Sequence, residues 1–193
     1  MHASRSAESR DSTSLLLAPR NSYLQELKEW VEPNHAARRG FARRAGEAIR
    51  EWLAANKPEQ ELNLCSLDLE SLPPLPAGLR KLLAGDNPKI VLLPAMPAGL
   101  QKLDLSSNGL TELPADFLRQ LPQLRDLSLA YNQLSRLPEL PPLLEWLDLR
   151  ENQLTDLPAS ISALKYDCSI FLFGNPITHE RVREMRPDWD DAL

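Results

Sequence analysis

The stretch from Leu100 to Pro114, LQKLDLSSNGLTELP, returns forty-four residues later as LEWLDLRENQLTDLP, from Leu144 to Pro158. Leu, Asn and Pro hold identical places in both stretches, while the residues between them change. A repeat of this kind constrains the fold more than any local propensity does. One short unit cannot bury its own apolar face and must stack on copies of itself. Aligned on a Leu-x-Leu core, the copies begin at Leu62, Leu82, Leu103, Leu127, Leu147 and Ile170, with steps of 20, 21, 24, 20 and 23 residues. The third, fourth and fifth copies fit LxxLxLxxNxLxxLP without exception. In the first, Leu67 takes the Asn place. In the second, Ala84 replaces a Leu and one extra residue follows Asn87. The sixth, CSIFLFGNPI, is a worn closing copy.

This period and pattern are those of the leucine-rich repeat, and they predict an α/β solenoid. Each unit supplies one short strand to a curved parallel sheet, with its leucines turned inward. Asn108, Asn132, Asn152 and Asn175 fall where the chain leaves each strand. There an amide side chain can satisfy backbone groups of neighbouring turns that would otherwise be buried unpaired. The chain holds 17 prolines against 7 glycines. That density rules out long helices across the repeats, because proline removes a helical hydrogen bond and clashes with the preceding turn. Segments such as LPPLPAGL, LPAMPAGL and LPELPPLL are expected to return in extended form along the convex side. LPADFLRQLPQL has room for one helical turn.

Periodicity changes upstream of Leu62. In SYLQELKEWVEP, the residues Tyr23, Leu27, Trp30 and Val31 share one helical face, with Ser22 as the expected cap and Pro33 as the stop. In NHAARRGFARRAGEAIREWLAANKP, a second stripe runs through Phe41, Ala45, Ala48, Ile49, Trp52 and Leu53, with Asn34 as cap and Lys57-Pro58 as terminator. The expected divisions are therefore a mobile tail over 1–21, a cap of two α-helices over 22–60, six repeats over 61–178 and a closing helix and tail over 179–193.

Alternate side chains of a strand face opposite sides, so the variable letters form columns on the open, concave face. Counting the first strand Leu as zero, the −1 column reads Glu61, Lys81, Lys102, Asp126, Trp146, Ser169. The +1 column reads Asn63, Leu83, Asp104, Ser128, Asp148, Phe171. The +3 column carries Cys65, Gly85, Ser106, Ala130, Arg150 and Phe173, and the +4 column Ser66, Asp86, Ser107, Tyr131, Glu151 and Gly174. Trp, Tyr and Arg are the residue types that most often anchor protein interfaces. The expected partner-binding set is Lys102, Asp104, Asp126, Ser128, Tyr131, Trp146, Asp148, Arg150, Glu151 and Phe171. Asp104, Ser128 and Asp148 are expected to be exposed rungs. Phe171 and Phe173 have a plainer reading, as packing against the closing segment.

Other functional classes find little support. Net charge is −5, divided as +2 over residues 1–60 and −7 over 61–193. An acidic body is not the clustered basic surface of a nucleic-acid binder. The run Arg38, Arg39, Arg43, Arg44 is read as a solvated helix face. SLLLAP is too short to span a bilayer. Cys65 and Cys168 are read as inert thiols rather than a bridge or a metal site, and no cofactor is expected. His2, His35 and His179 fall in tail, cap and closing helix, so no Ser/His/Asp or Cys/His group can be argued together, and no glycine-rich phosphate loop is present. The chain is read as a non-enzyme and a monomer.

The proline-rich units LPPLPAGLRKL and LPAMPAGLQKLDLSSNGLTELP, the helical leader YLQELKEWVEPNHAARRGFARRAGEAIREWLAANKPEQELNLCSLDLESLP and the terminus CSIFLFGNPITHERVREM together narrow the class. Over residues 21 to 186 they resemble the leucine-rich-repeat effectors of Gram-negative type III secretion systems, the YopM–IpaH–SspH–SlrP group. The resemblance implies secretion by a type III system and action in the host cytoplasm or nucleus. In many members of the group the repeats select a host protein, and a following domain ligates ubiquitin through a Cys-x-Asp motif. That motif is absent here: Cys65 stands in LCSLD and Cys168 in DCSIF. The chain then corresponds either to the recognition part of a ligase effector or to a ligase-less member of the group. A separate reading rests on LPASISALKY, which matches the LPxxIxxL scaffold repeats that bind signalling proteins or small GTPases.

Overall fold

The computed structural model describes residues 14–32 and 40–187. Helix α1 spans Ser14–Val31 and α2 spans Phe41–Ala55. Six short strands follow: β1 (Leu62–Asn63), β2 (Lys81–Leu83), β3 (Lys102–Asp104), β4 (Asp126–Ser128), β5 (Trp146–Asp148) and β6 (Ser169–Phe171). Helix α3, His179–Met185, closes the described chain. The strands form one parallel sheet in sequence order, and its register is the one the repeat predicts. Leu62, Leu82, Leu103, Leu127, Leu147 and Ile170 are successive partners. The architecture is an α/β solenoid.

The leucines build a continuous core. Leu103, Leu105, Leu110, Leu127, Leu129, Leu134, Leu147, Leu149 and Leu154 are all fully buried. Their burial supplies the main favourable term, and it exists only because each turn covers the next. Stacking also buries backbone groups, and the asparagines satisfy these. Asn132 Oδ1 accepts from the Leu110 N–H at 3.1 Å, while its Nδ2 donates to the carbonyls of Leu105, Leu129 and Ala130. Asn152 and Asn175 repeat this pattern one and two turns on. Asn108 differs: its Oδ1 accepts from the Asn87 N–H rather than from a later Leu. The extra residue of the second copy displaces that Leu position. The loop it makes presses on Gly109, where a Cβ would lie 2.5 Å from the Pro88 carbonyl oxygen. Asn87 compensates by accepting from the N–H groups of both Leu67 and Leu69.

The return segments are extended where proline is dense. LPADFLRQLPQL holds a 3-10 turn at Leu118–Gln120. LPASISALKY holds another at Ala159–Ala163. Arg186, buried, donates to the carbonyls of Ile161 and Leu164 at the end of that second turn. Arg181 pairs with Asp156 through two bonds of 3.0 Å, so α3 is clamped to the last full repeat.

At the other end, α1 and α2 cover the first strand. Leu27, Val31, Ala45, Ile49 and Trp52 are buried, while Tyr23, Trp30, Ala48 and Leu53 are partly buried against them. The Tyr23 hydroxyl donates to the Pro74 carbonyl at 2.9 Å, and Trp52 Nε1 donates to the Gln60 carbonyl at 2.8 Å. Burial pushes the Tyr23 phenol well above its ordinary value. Helix α1 starts eight residues before the expected Ser22 and includes Pro19. The sequence Leu15-Leu16-Leu17-Ala18 is strongly helix-forming, which the absence of an amphipathic stripe had hidden. The tail expected over 1–21 is thus helical over 14–21, and its residues 1–13 lie outside the described ones. The Asn34 cap, with Arg38 and Arg39, also falls outside them. Helix α2 starts after Gly40 and ends at Asn56 in the left-handed conformation, before the expected Lys57-Pro58. Arg43 pairs with Glu47 at 2.8 Å and Arg44 lies over the Phe41 ring, as befits an exposed helix face.

Two substitutions separate the contributions of core and ladder. Leu105→Ala is expected to cost ~2–5 kcal/mol as a cavity in the shared core. Asn132→Ala removes four buried hydrogen bonds and is expected to cost roughly 2–4 kcal/mol at about 1 kcal/mol per bond. Urea denaturation of both variants checks this, and an unchanged midpoint for either would place the residue outside the core.

Candidate functional site

The open face of the sheet carries the predicted columns in order. Lys102, Asp126, Trp146 and Ser169 are register partners, as are Asp104, Ser128, Asp148 and Phe171. Regular strand ends at the +1 column, so the +3 and +4 residues stand in the turn beyond it. The +4 column has one conformation throughout. Ser66, Asp86, Ser107, Tyr131, Glu151 and Gly174 all have φ between +53° and +77°. Each copy therefore leaves its strand through a left-handed residue, which in every copy but the first, where Leu67 follows, presents the next Asn to the ladder.

Part of the +1 column has a structural task. Asn63, Asp104 and Asp148 each accept from the backbone N–H two residues on, at 2.9, 2.9 and 3.1 Å. This is the Asx turn, which closes the strand exit with a side-chain oxygen. Asp104 also accepts from the Ser106 hydroxyl at 2.6 Å.

The expectation that Asp104, Ser128 and Asp148 are exposed rungs needs correction. The three do line up, but Asp148 is only 2% exposed and Ser128 only 8%. Asp148 is covered by Arg150, whose Nε and Nη2 donate to its two carboxylate oxygens at 2.9 and 2.6 Å. A two-point contact of this kind holds both groups in one geometry. Arg150 also lies 5.7 Å from the Phe171 ring centroid, and Phe171 lies 5.7 Å from Trp146 with the ring planes tilted by 52°. These distances suit cation–π and tilted aromatic contacts.

Trp146, Asp148, Arg150 and Phe171 thus form one connected cluster over β5 and β6. Tyr131, 54% exposed, and Phe173, 67% exposed, stand beyond it. Phe171 and Phe173 do not pack away against the closing helix. Phe173 instead borders an open groove of about 290 Å³ lined also by Leu172, Gly174, Asn175, Ile177 and His179. Glu151 is exposed, and its carboxylate lies against Gly174, where an added Cβ would approach it to 2.6 Å. On the other side of Trp146, Asp126 is half-buried on β4. Lys102 reaches across β2 to donate to Glu61 at 2.7 Å, which raises its pKa.

The rings, the ion pair and the exposed carboxylates of this face are groups suited to contact with a partner. Cys65 is half-buried and Cys168 buried, and neither is in a disulfide. Burial raises the Cys65 thiol and pushes that of Cys168 up to about 11. Both are therefore protonated near neutral pH and poor nucleophiles. Among the described residues no group of three or more His, Cys, Asp and Glu side chains can hold a metal ion, and no helix is long and apolar enough to cross a membrane.

Residues 98–154 match the leucine-rich-repeat family. The leucine-rich-repeat domain of a Shigella effector superposes with a TM-score of 0.67 at 30% identity, over 84% of this chain and 79% of that one. The chain belongs to the leucine-rich-repeat proteins. YopM, a leucine-rich effector protein from Yersinia pestis, superposes with a TM-score of 0.60 at 26% identity, over 82% of this chain and 49% of YopM. Dog opticin is 40% identical over 80 residues, 36% of this chain and 22% of opticin. This leucine-rich-repeat domain therefore spans about half of YopM and under a quarter of opticin. The Shigella domain and YopM are both bacterial effectors, and the repeat fold is one typically used for protein interaction rather than catalysis.

Arg150 is expected to matter to the repeat domain through Asp148. Arg150→Ala removes the two-point contact on Asp148 and leaves its carboxylate with only a backbone donor, so its melting temperature should fall. In Asp148→Ser/Arg150→Ala the carboxylate is gone, and the fall should be smaller than in Arg150→Ala alone. Calorimetry of the two variants decides; a larger fall in the double variant would mean that Asp148 is stabilising by itself.

Proposed function

We propose that the open face of this domain docks a partner protein, with Trp146, Tyr131, Phe171 and Phe173 as anchors and Arg150 as their support. The carrying observation is the aromatic cluster itself. Four aromatic side chains gather toward one end of a sheet whose remaining open face carries no aromatic side chain, and two of them are more than half exposed. Large aromatic groups clustered in solvent are characteristic of binding surfaces. The surrounding frame supports this role, because every neighbouring strand is fixed by the leucine core and the asparagine ladder. A rigid platform loses little entropy on binding.

The effector-type fold supports a more specific reading. The domain acts on a host protein after secretion by a bacterial type III system, in the host cytoplasm or nucleus. In a longer parent protein it selects the substrate for a ubiquitin-ligase domain with a Cys-x-Asp centre. The matching role is presentation: docking on the open face holds lysines of the bound protein toward whatever follows the repeats.

The test is capture of host-cell proteins on the immobilised domain, comparing wild type with Trp146→Ala and Phe173→Ala. Both variants should keep cooperative melting, since neither residue belongs to the leucine core, and both should lose the same specific prey. Equal recovery by all three proteins would move the docking surface away from this cluster. Addition of ubiquitin and its activating enzymes to the parent protein tests the ligase role separately.

A further inference from the structure

Six carboxylates and three cations occupy the open-face columns: Glu61, Asp86, Asp104, Asp126, Asp148 and Glu151 against Lys81, Lys102 and Arg150. Two of the cations are already engaged. The Arg150 guanidinium is held by Asp148 on both oxygens. The Lys102 ammonium donates to Glu61, with Asp126 and Asp104 as further anions beside it. The carboxylates of Asp126 and Glu151 make no hydrogen bond or ion pair with any described residue, and only Asp126 has a cation, Lys102, beside it. They flank the aromatic cluster: Asp126 is the strand neighbour of Trp146, and Glu151 lies against Gly174, next to Phe173. The third cation, Lys81, lies three strands from Trp146. At about 4.8 Å per strand that is roughly 14 Å, beyond the Debye length of about 8 Å at physiological salt. Lys81 therefore does not offset the field at the cluster, whereas Asp126 and Glu151 act within it.

Resting on the docking role proposed above, we infer that the partner segment received here is basic and apolar at once. It carries an aromatic or aliphatic side chain that seats on Trp146, Phe171 and Phe173, with Lys or Arg beside it to meet Asp126 and Glu151. An acidic or phosphorylated segment would bring like charges together and leave the two carboxylates uncompensated. A basic one gains complementary charge at the rim, which speeds association, while the rings supply the anchor. An anionic nucleic acid is disfavoured by the same sign of field.

Selection of a random-peptide display library on the folded domain tests this. Peptides enriched on the wild type should carry Lys or Arg next to an aromatic or aliphatic residue and be lost on Trp146→Ala. Their association should slow as salt is raised. On Asp126→Asn/Glu151→Gln, whose melting should match wild type, the selected peptides should bind about tenfold more slowly, and a fresh selection should lose its basic bias while keeping the apolar one. Peptides that depend on Trp146 but show no basic bias would overturn this inference and leave the docking role standing. Peptides indifferent to Trp146 would overturn both. No enrichment over an unrelated repeat protein would also count against the inference.

Discussion

Everything in this structure depends on one repeat supplying what its neighbour lacks. Asn132 satisfies the Leu110 N–H of the preceding turn and carbonyls of both that turn and its own. The neighbouring asparagines make equivalent bonds with their own turns. Without this ladder the leucine core could not close, because stacking would bury backbone groups with no partners, at a cost comparable to the gain from each buried leucine. The ladder in turn needs the left-handed residue that precedes each Asn. Serine, aspartate, tyrosine and glutamate all adopt that conformation here, although it is uncommon for residues other than glycine. Their strain is distributed one residue per turn and is held in place by the bonds on either side.

This dependence changes the meaning of the variable letters. A column that looks free in the sequence is partly committed to the frame. Asn63, Asp104 and Asp148 close the strand exits in alternate copies. Asp148 is then sealed by Arg150, which also supports Phe171. The large aromatic residues and the carboxylates beside them close no strand exit, and these lie between β4 and the turn after β6. The division between frame and surface therefore does not follow the division between invariant and variable positions.

The sequence made the register and the core legible because the leucine period leaves one way to stack the copies. It made the order along each column legible for the same reason. Burial within a column was not legible. Ser128 and Asp148 sit at positions that a single strand would expose, yet both are buried in the sheet, Asp148 beneath the Arg150 guanidinium of its own copy. Gly109 gave no signal either: its need for a bare Cα comes from the loop at Pro88 one turn earlier. Arg186 is buried at the end of a 3-10 turn that lies 22 residues or more upstream, a contact without local trace. The early start of α1 was hidden for the opposite reason, since a run of leucines without helical spacing carries propensity but no face.

The two ends of the sheet are closed differently, and this places the aromatic cluster. At the first edge, α2 packs against β1 and Trp52 is tied to Gln60 just before the strand. At the last edge, α3 packs against the 3-10 turn on the convex side and is clamped there by Arg181 and Asp156. Burial of Ile177 and Val182 caps the leucine core at that end. The open face of β6 receives no such cover, so Phe171 and Phe173 stay in solvent while the leucines beneath them do not. An inner copy also presents a ring, Tyr131, from its left-handed turn position, but among the described residues only the final copy has no strand beyond it on its outer side. The final copy, worn in its consensus letters, is the position where large side chains can be anchored from below by the repeat core and approached from above and from the side.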